Sequence, residues 1–392
     1  MDNDSELLAQ LQTMPELFEE ISASKLSELS LQKQLRERYP AELVRLACTL
    51  SELRRRAAGK FSQADRLWMD RTSLEQSTAE TVAIHKAQRF AGIDEPVFDL
   101  CSGMGMDTIA LALAGCEVVS VDRSPIALSQ LQLNAEIYGV ADHIEPKQTA
   151  AETLDLDGRI VHVDPDRRAG HGRAVRLEDY QPSLEFLQEL TRRAKGGAIK
   201  LSPASNFGGK FPDCEIELVS LNGECKEATV WFGSLRREGP MRATLLPNGA
   251  TFAGDPLAAR PRIAPLQKFL YDPDPSIVRS GLVDLYASDT GFCRLDDAEE
   301  YLTSDQFVES PGTSAFEVLT ELPNNPKEIA KWFRSSEFGD VEIKCRHVPI
   351  DVDGLRRRIS LSGTGRGTLV IARILGKTRA VVCQRVNRSP SI

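Results

Sequence analysis

The sequence is poor in the residues that build metal sites and disulfide frameworks. Its 392 residues include five scattered histidines and eight cysteines, and no two cysteines form a Cys-x-x-Cys pair. Because zinc centres need such closely spaced ligands, we predict no metal site and expect reduced thiols. The sequence also lacks an apolar run of about 18 residues, so no transmembrane helix is expected. The acidic start, Met1–Glu6, lacks the pattern of a signal peptide, which favours a cytoplasmic protein with no membrane partner.

Acidic residues are missing from the last part of the chain. Residues 354–392 contain nine arginines or lysines and no aspartate or glutamate, although the whole chain has a net charge of −9. A basic segment on an acidic protein is typical of a surface that binds a polyanion. A basic face that is only solvated is the alternative interpretation of the same charges.

A glycine loop between a strand and a helix organises the middle of the sequence. The strand-like run Val97–Leu100 precedes glycines at 103 and 105, and helix-like sequence follows from Met106. Glycines let the backbone approach a ligand closely, and the helix then directs its free N–H groups at that ligand. We predict that Asp99 meets a cation such as an α-amino group. Asp122, which ends the next strand-like run, suits the two hydroxyls of a ribose. A glycine turn in a ligand-free α/β fold is the alternative.

The third glycine of the dinucleotide-binding pattern is absent, because position 107 is an aspartate. The run Asp99-Leu-Cys-Ser-Gly-Met-Gly-Met-Asp107 resembles class I S-adenosylmethionine-dependent methyltransferases. With Leu133-Asn-Ala-Glu-Ile-Tyr-Gly-Val-Ala-Asp142, it is similar to the trimethylguanosine-synthase-like branch, which methylates RNA caps. From about residue 50 to about residue 390, the chain resembles bacterial methyltransferases that carry a C-terminal THUMP-like domain. This resemblance implies S-adenosyl-L-methionine as the cofactor and structured RNA, such as tRNA or rRNA, as the partner.

The glycine loop and the resemblance together define candidate cofactor contacts. They comprise loop residues, acids after neighbouring strands and a turn that touches the cofactor in the cap-methyltransferase-like branch: Gln76, Thr78, Asp99, Ser102, Gly103, Gly105, Asp107, Asp122, Arg123 and Glu152. Thr78 also suits the N-cap of a helix predicted from Ala79, which is its alternative role. Glu152 is the nearest acid to the position where an acid usually binds the adenine amino group.

The segment after the fourth predicted strand supplies the candidate catalytic residues. Methyl transfer from a sulfonium is an in-line displacement that needs an aligned nucleophile and often a proton acceptor. Asp164 and Pro165 stand where amino-group methyltransferases carry an Asn/Asp/Ser-Pro-Pro-aromatic motif, but Asp166, Arg167 and Arg168 follow here. The motif therefore supplies no stacking ring, which argues against methylation of a purine amino group. Asp-Pro-x-Arg-Arg looks like the THUMP-like family's own version of this motif.

Several roles stay open at this stage. Arg167 and Arg168 can hold a phosphate or an acidic group through paired hydrogen bonds, or they can shape the loop by pairing with nearby acids. Cys101 is disfavoured as a nucleophile because it lies inside the cofactor loop. Methylation of a small acidic metabolite or a protein side chain is one alternative function. A non-catalytic RNA-binding or cofactor-sensing module is another.

If RNA is the partner, the basic end of the chain supplies its candidate contacts. These contacts are Arg356, Arg357, Arg358, Arg373 and Arg379. Three of them are consecutive on a predicted helix, where neighbouring residues point about 100° apart, so they cannot share one salt bridge.

The fold class predicted is α/β, with a doubly wound seven-stranded methyltransferase sheet and an antiparallel edge strand. The alternation of predicted strands and helices along the chain supports this prediction. The strands are predicted at 97–100, 117–121, 144–147, 160–164, 197–202, 215–220 and 227–232, and the helices at 105–114, 125–138 and 182–195. Asn222-Gly223 predicts the hairpin that makes the edge strand antiparallel. We assign 1–95 to an N-terminal helical region, 96–235 to the methyltransferase domain, 236–300 to a linker region and 301–392 to a small THUMP-like α/β domain.

Overall fold

A computed structural model describes residues 3–167 and 176–386. Arg168 and the side chain of Arg167 lie outside the described residues, so their roles stay predictions. The chain divides into two compact units. The first comprises Met1–Cys214 and Ala228–Arg237, and the second comprises Glu215–Glu227 and Glu238–Ile392.

The first unit begins with helices, as the spacing of its leucines predicts. They are α1 (Asn3–Gln12), α2 (Pro15–Ala23), α3 (Glu28–Leu35), α4 (Ala41–Ala57), α5 (Arg71–Gln76) and α6 (Glu80–Ala87). Leucines three or four residues apart form an apolar stripe, which is buried in these helices. The core that they build also contains Met104 and Met106 of the glycine loop. The helical region therefore packs directly against the candidate cofactor loop.

Strands and helices alternate after residue 96. The strands are β1 (Val97–Leu100), β2 (Val118–Asp122), β3 (Ile144–Gln148), β4 (Ile160–Val163), β5 (Asp166–Arg167), β6 (Tyr180–Gln181), β7 (Gly196–Leu201), β8 (Glu215–Leu221) and β9 (Glu224–Gly233). The helices are α7 (Met106–Leu113), α8 (Pro125–Tyr138) and α9 (Leu184–Arg193). Within the first unit the strand order is β9-β7-β4-β1-β2-β3, and every pair is parallel except β7–β9. The α/β class and the antiparallel strand are confirmed.

Short-range sequence signals set several of these boundaries. Ser124 caps α8 by accepting a hydrogen bond from the Ala127 N–H at 3.3 Å, and Pro125 occupies the first turn, as predicted. Asn222 and Gly223 join β8 to β9 with φ of 54° and 79°, which confirms the hairpin turn. The predicted N-cap role of Thr78 is wrong. Ala79 caps α6 without a side-chain hydrogen bond, because Thr78 uses its hydroxyl elsewhere.

The linker predicted at 236–300 is instead folded, and this expectation needs correction. It contains β10 (Met241–Leu246), β11 (Ala250–Gly254), β12 (Phe269–Pro273), α10 (Pro275–Arg279), α11 (Val283–Thr290) and β13 (Cys293–Arg294). Its apolar side chains form a core of their own, in which Tyr271 and Ile277 are fully buried. β8 pairs in parallel with β10, and β10 pairs antiparallel with β11. These last two strands come in addition to the seven predicted for the methyltransferase sheet.

The second unit also contains a seven-stranded sheet in the order β13-β14-β12-β15-β18-β17-β16. Its remaining elements are β14 (Leu302–Ser304), β15 (Thr313–Pro323), α12 (Pro326–Arg334), β16 (Phe338–Cys345), α13 (Val352–Arg358), β17 (Gly365–Ile374) and β18 (Lys377–Arg385). β16 and β17 are parallel, whereas the other pairs are antiparallel. The small α/β region predicted after residue 314 therefore has the expected elements, but its sheet extends back to β12.

Candidate active site

The glycine loop leaves β1 through three residues with left-handed backbone conformations. Cys101, Gly103 and Gly105 have φ of 61°, 54° and 91°. A Cβ on Gly105 would lie 2.6 Å from Leu131 Cγ, so only glycine fits where the loop meets α8. A Cβ on Gly103 would meet nothing within 4 Å. The backbone is therefore open at Gly103, which suits close approach by a ligand.

Asp122 lies at the end of β2, beside this open part of the loop. Its Oδ2 accepts a hydrogen bond from the Gly103 N–H at 2.9 Å, and its Oδ1 accepts one from the Ser124 N–H at 2.8 Å. Each carboxylate oxygen has a second lone pair, so Asp122 can also accept hydrogen bonds from ribose hydroxyls. Nearby, Arg123 Nη2 contacts both carboxylate oxygens of Glu152 at 2.8 and 2.7 Å. The structure thus brings Asp122, Arg123 and Glu152 together at the carboxyl ends of β2 and β3.

Asp99 is fully buried, and its contact with an α-amino group stays a prediction. Its Oδ1 accepts a hydrogen bond from His162 Nδ1 at 2.7 Å, and its Oδ2 accepts one from the Thr108 hydroxyl. His162 lies directly opposite Asp99 on the neighbouring strand. The sequence analysis missed His162, although it is the one polar residue in an otherwise apolar strand. Asp99 therefore acts beneath the loop, where it joins β1 to β4 and α7.

Thr78 and Asp107, two further predicted contacts, are bonded to each other. The Thr78 hydroxyl donates to Asp107 Oδ2 at 2.6 Å, and Lys86 Nζ forms an ion pair with Asp107 Oδ1 at 3.1 Å. All three side chains are buried. Burial opposes ionisation of Asp107, but Lys86, His162 and Lys200 together hold its pKa below the usual value. These contacts fasten α6 to the first turn of α7.

The candidate catalytic segment is held by a lysine that the sequence analysis did not identify. Lys200, near the end of β7, donates from Nζ to Asp164 Oδ2 at 2.7 Å and to the Gln76 carbonyl oxygen at 3.1 Å. Gln76 Nε2 donates to Asp166 Oδ1 at 3.2 Å. Asp164 and Gln76, predicted separately, therefore meet at Lys200. Pro165 lies between the two acids.

The pKa values of Asp164 and Cys101 are both raised, with different consequences for the two side chains. Burial raises the pKa of Asp164; Lys200 opposes this rise, and Asp107 adds to it. An elevated pKa makes a carboxylate a better proton acceptor. Burial, together with Asp122 and Asp164, raises the pKa of the Cys101 thiol. A thiolate is disfavoured there, which argues against Cys101 as a nucleophile.

Of the five arginines predicted to bind nucleic acid, three are exposed on α13. Arg356, Arg357 and Arg358 make no ion pair with any described residue. By contrast, Arg373 pairs with Asp296 at 3.4 Å and Arg379 pairs with Glu321 at 3.1 Å. Their charges are thus largely balanced within the second unit.

Neither a metal site nor a membrane-spanning helix is found in the part of the chain that the structure describes. No group of three or more His, Cys, Asp or Glu side chains in that part of the chain could hold a metal ion. No described helix combines the length and apolar character needed to cross a membrane.

Known proteins resemble both regions of the chain. The family described as RNA cap guanine-N2 methyltransferase matches residues 94–188, and the THUMP domain-like family matches residues 313–385. An S-adenosylmethionine-dependent methyltransferase of Mycobacterium tuberculosis is 33% identical over 348 residues, covering 85% of this chain and 94% of that protein. A ribosomal protein L11 methyltransferase of a Geobacter species is 37% identical over 70 residues, covering 18% of this chain and 23% of that protein.

A solved structure agrees over nearly the whole length. The crystal structure of a candidate methyltransferase from Porphyromonas gingivalis W83 has a TM-score of 0.78 and 20% identity, covering 99% of this chain and 100% of that one. The chain is a class I methyltransferase in fold. It belongs to the S-adenosylmethionine-dependent methyltransferase family that includes the M. tuberculosis protein, and it carries a THUMP-like domain. S-adenosylmethionine is its cofactor.

Proposed function

We propose that this enzyme methylates structured RNA, such as tRNA or rRNA. The observation that carries the proposal is the combination of an RNA-cap-methyltransferase-like catalytic region with three exposed arginines on α13 that make no ion pair with any described residue. An RNA backbone is recognised chiefly through its phosphates, and arginine suits phosphate geometry. The THUMP-like region that carries these arginines would hold the RNA.

We assign the cofactor to the glycine loop and the acids beside it. The open backbone at Gly103 and the spare lone pairs of Asp122 fit a nucleoside, and Ser102, Arg123 and Glu152 lie beside them. When bound, S-adenosylmethionine supplies an electrophilic methyl group on a sulfonium. Gln76 belongs to the reacting side of the site, since it contacts Asp166 and Lys200.

Asp164 is our candidate proton acceptor. Its Oδ2 is bound to Lys200, which leaves Oδ1 to accept a hydrogen bond from the substrate's nucleophile. The nucleophile forms its bond to the methyl carbon as the carbon–sulfur bond breaks, and the bond pair stays on sulfur. The proton that the nucleophile loses passes to Asp164, which balances the reaction. A carboxylate in this role contributes about 10²–10⁴ in rate.

A protein side chain is the second candidate substrate. The short similarity to a ribosomal protein L11 methyltransferase favours it. That similarity covers only 18% of this chain, so it supports no role for the remainder.

The test is transfer of a labelled methyl group. Purified enzyme and tritiated S-adenosylmethionine are added to total RNA and to total protein from cells that lack the gene and from normal cells. We expect label in RNA from the deletion cells and much less in normal RNA, which is already methylated. The Asp164→Asn variant is the control, and its turnover should fall about 100-fold or more. Label in protein alone would contradict the RNA proposal, and nucleoside mass spectrometry would identify the modified base.

A further inference from the structure

We infer that Lys200 is a positioning residue for methyl transfer: it binds one oxygen of Asp164 and thereby directs the other oxygen to the substrate. This inference rests on the proposed role of Asp164 and deepens it. Nothing in the motif around Asp164 indicates a lysine that follows it by 36 residues in the chain. The parallel pairing of β4 with β7 brings the two residues together.

The contacts of Lys200 fix both of its neighbours. Its side chain is 15% exposed, and its ammonium donates to Asp164 Oδ2 at 2.7 Å and to the Gln76 carbonyl at 3.1 Å. No described residue donates a hydrogen bond to the other carboxylate oxygen, Oδ1. The carboxylate is therefore held at one oxygen and available at the other. The same ammonium fastens the end of α5 to this segment.

Asp164 needs this cation because of the charges around it. Asp107 on α7 faces it as a like charge, Lys86 on α6 is already paired with Asp107, and Cys101 lies in the adjacent loop. Asp166 follows two residues later and is bonded to Gln76. Among the described residues, Lys200 is the cation in direct contact with Asp164, and it opposes the rise in the pKa of this carboxyl group that burial causes.

Lys195 provides a matched control on the same segment. It immediately precedes β7, pairs with Glu95 and is 55% exposed. A Lys195→Met variant loses an ion pair and a charge, as a Lys200→Met variant does, but it leaves Asp164 untouched. Lys200→Arg keeps the charge with a different donor geometry.

The first arm measures methyl transfer to RNA as a function of pH. Asp164 must be deprotonated to accept a proton, and loss of Lys200 raises its pKa further. We therefore expect Lys200→Met to lower kcat about tenfold or more and to move the acid limb of kcat/KM up by about one pH unit or more. Lys200→Arg should keep the position of the acid limb, and Lys195→Met should match the wild type. An acid limb in Lys200→Met identical to that of Lys195→Met would overturn the inference.

The second arm needs no substrate, so it separates this inference from the proposed function. Urea unfolding is measured for wild type, Lys200→Met, Asp164→Asn and the double variant. If Lys200 holds Asp164, the two effects are non-additive, because removal of both partners leaves no unpaired charge. Additive effects would contradict the contact even if RNA is methylated. If no RNA is methylated, the proposed function fails, while non-additivity still supports the role of Lys200. Lys200→Gln replaces Lys200→Met if the latter does not fold.

Discussion

At the residue scale, the acids of the first unit differ in the groups that their carboxylate oxygens already contact. Asp99, Asp107 and Asp164 each contact an imidazole or an ammonium group of the chain itself. Asp122 instead accepts hydrogen bonds from two main-chain N–H groups. No side-chain cation of the described residues is bound to Asp122, which is in keeping with its proposed contact with the neutral hydroxyls of a ribose.

Replacement of Asp122 by alanine should weaken binding of S-adenosylhomocysteine. Each unmatched ribose hydrogen bond costs about 1–3 kcal/mol, so we expect a loss of about tenfold or more in affinity by calorimetry. Glu145→Ala, an exposed acid on the neighbouring strand, is the control and should leave affinity unchanged. Equal affinities for Asp122→Ala and wild type would refute the ribose assignment.

Replacement of Lys86 by methionine should destabilise the fold in a pH-dependent way. Lys86 lowers the pKa of buried Asp107, so their pairing stabilises the wild type at neutral pH and is lost in acid. Without Lys86, burial raises the pKa of Asp107, so the variant loses stability as pH rises. We expect a loss of about 3–5 kcal/mol at pH 7.5 and a smaller one at about pH 5.

Urea unfolding of both proteins at the two pH values measures this difference. Thr78→Val is the companion variant. It removes only the hydrogen bond that the uncharged Thr78 hydroxyl donates to Asp107, so it should show a weaker pH dependence. If Lys86→Met loses the same free energy of unfolding at both pH values, the pKa of Asp107 does not depend on Lys86.

At the scale of elements, α8 holds the glycine loop at two points. Asn134 on α8 donates from Nδ2 to the carbonyl oxygens of Trp68 and Met104 at 2.9 and 3.0 Å, and its Oδ1 accepts from the Trp68 N–H. Gly105 packs against Leu131 on the same helix. The loop conformation is thus imposed by α8 as well as by its own glycines.

A Gly105→Ala variant tests how strictly α8 sets the loop. The new methyl group would combine an unfavourable φ of 91° with an overlap at Leu131, and we expect a loss of about 2–4 kcal/mol. Gly139→Ala at the end of α8 has a φ of 70° but open space, so strain alone should cost about 1–2 kcal/mol. Urea unfolding compares them, and calorimetry should show weaker cofactor binding only for Gly105→Ala. Equal losses in both variants would argue against the overlap.

Sequence patterns predicted elements whose signals are local. The strand-loop-helix unit at Val97, the cap at Ser124 and the turn at Asn222 are encoded within a few residues, and the structure has all three. The contacts that Asp99 makes depend on His162, and those that Asp164 makes depend on Lys200. These partners meet through strand pairing, which no short motif shows. The folded region 236–300 was missed in part for the same reason, since β10 also pairs with β8 and β12 pairs with β14 and β15, although β10 and β11 form a local hairpin.

At the scale of the whole molecule, the basic end of the chain is less basic than its composition indicates. Arg366, Arg373 and Arg379 each pair with an acid that precedes residue 354. The arginines of α13 lie at the C-terminal turn of their helix, where positive charge is favourable. Among the described arginines of the basic segment, these three are the ones without an ion pair.

Replacement of Arg356, Arg357 and Arg358 by alanine should therefore weaken RNA binding and reduce its salt dependence. Each lost phosphate contact lowers the slope by about 0.7 to 0.9 log units per log unit of salt. Filter binding of tRNA and rRNA fragments over a salt series measures this slope. Replacement of Arg366, Arg373 and Arg379 removes the same charge from paired sites and should have a smaller effect. If both triple variants behave alike, net charge and not α13 governs binding.

The path of the chain between the two units also constrains the order in which the protein can be made. Ala228–Arg237 belong to the first unit but follow a segment of the second. A nascent chain that has reached residue 214 still lacks β9, so the β7 edge that pairs with Ala228–Gly233 has no partner. Open strand edges recruit other chains. The first unit therefore completes its sheet only after part of the second has left the ribosome, and a fragment ending at residue 214 would expose that edge whereas one ending at residue 237 would not.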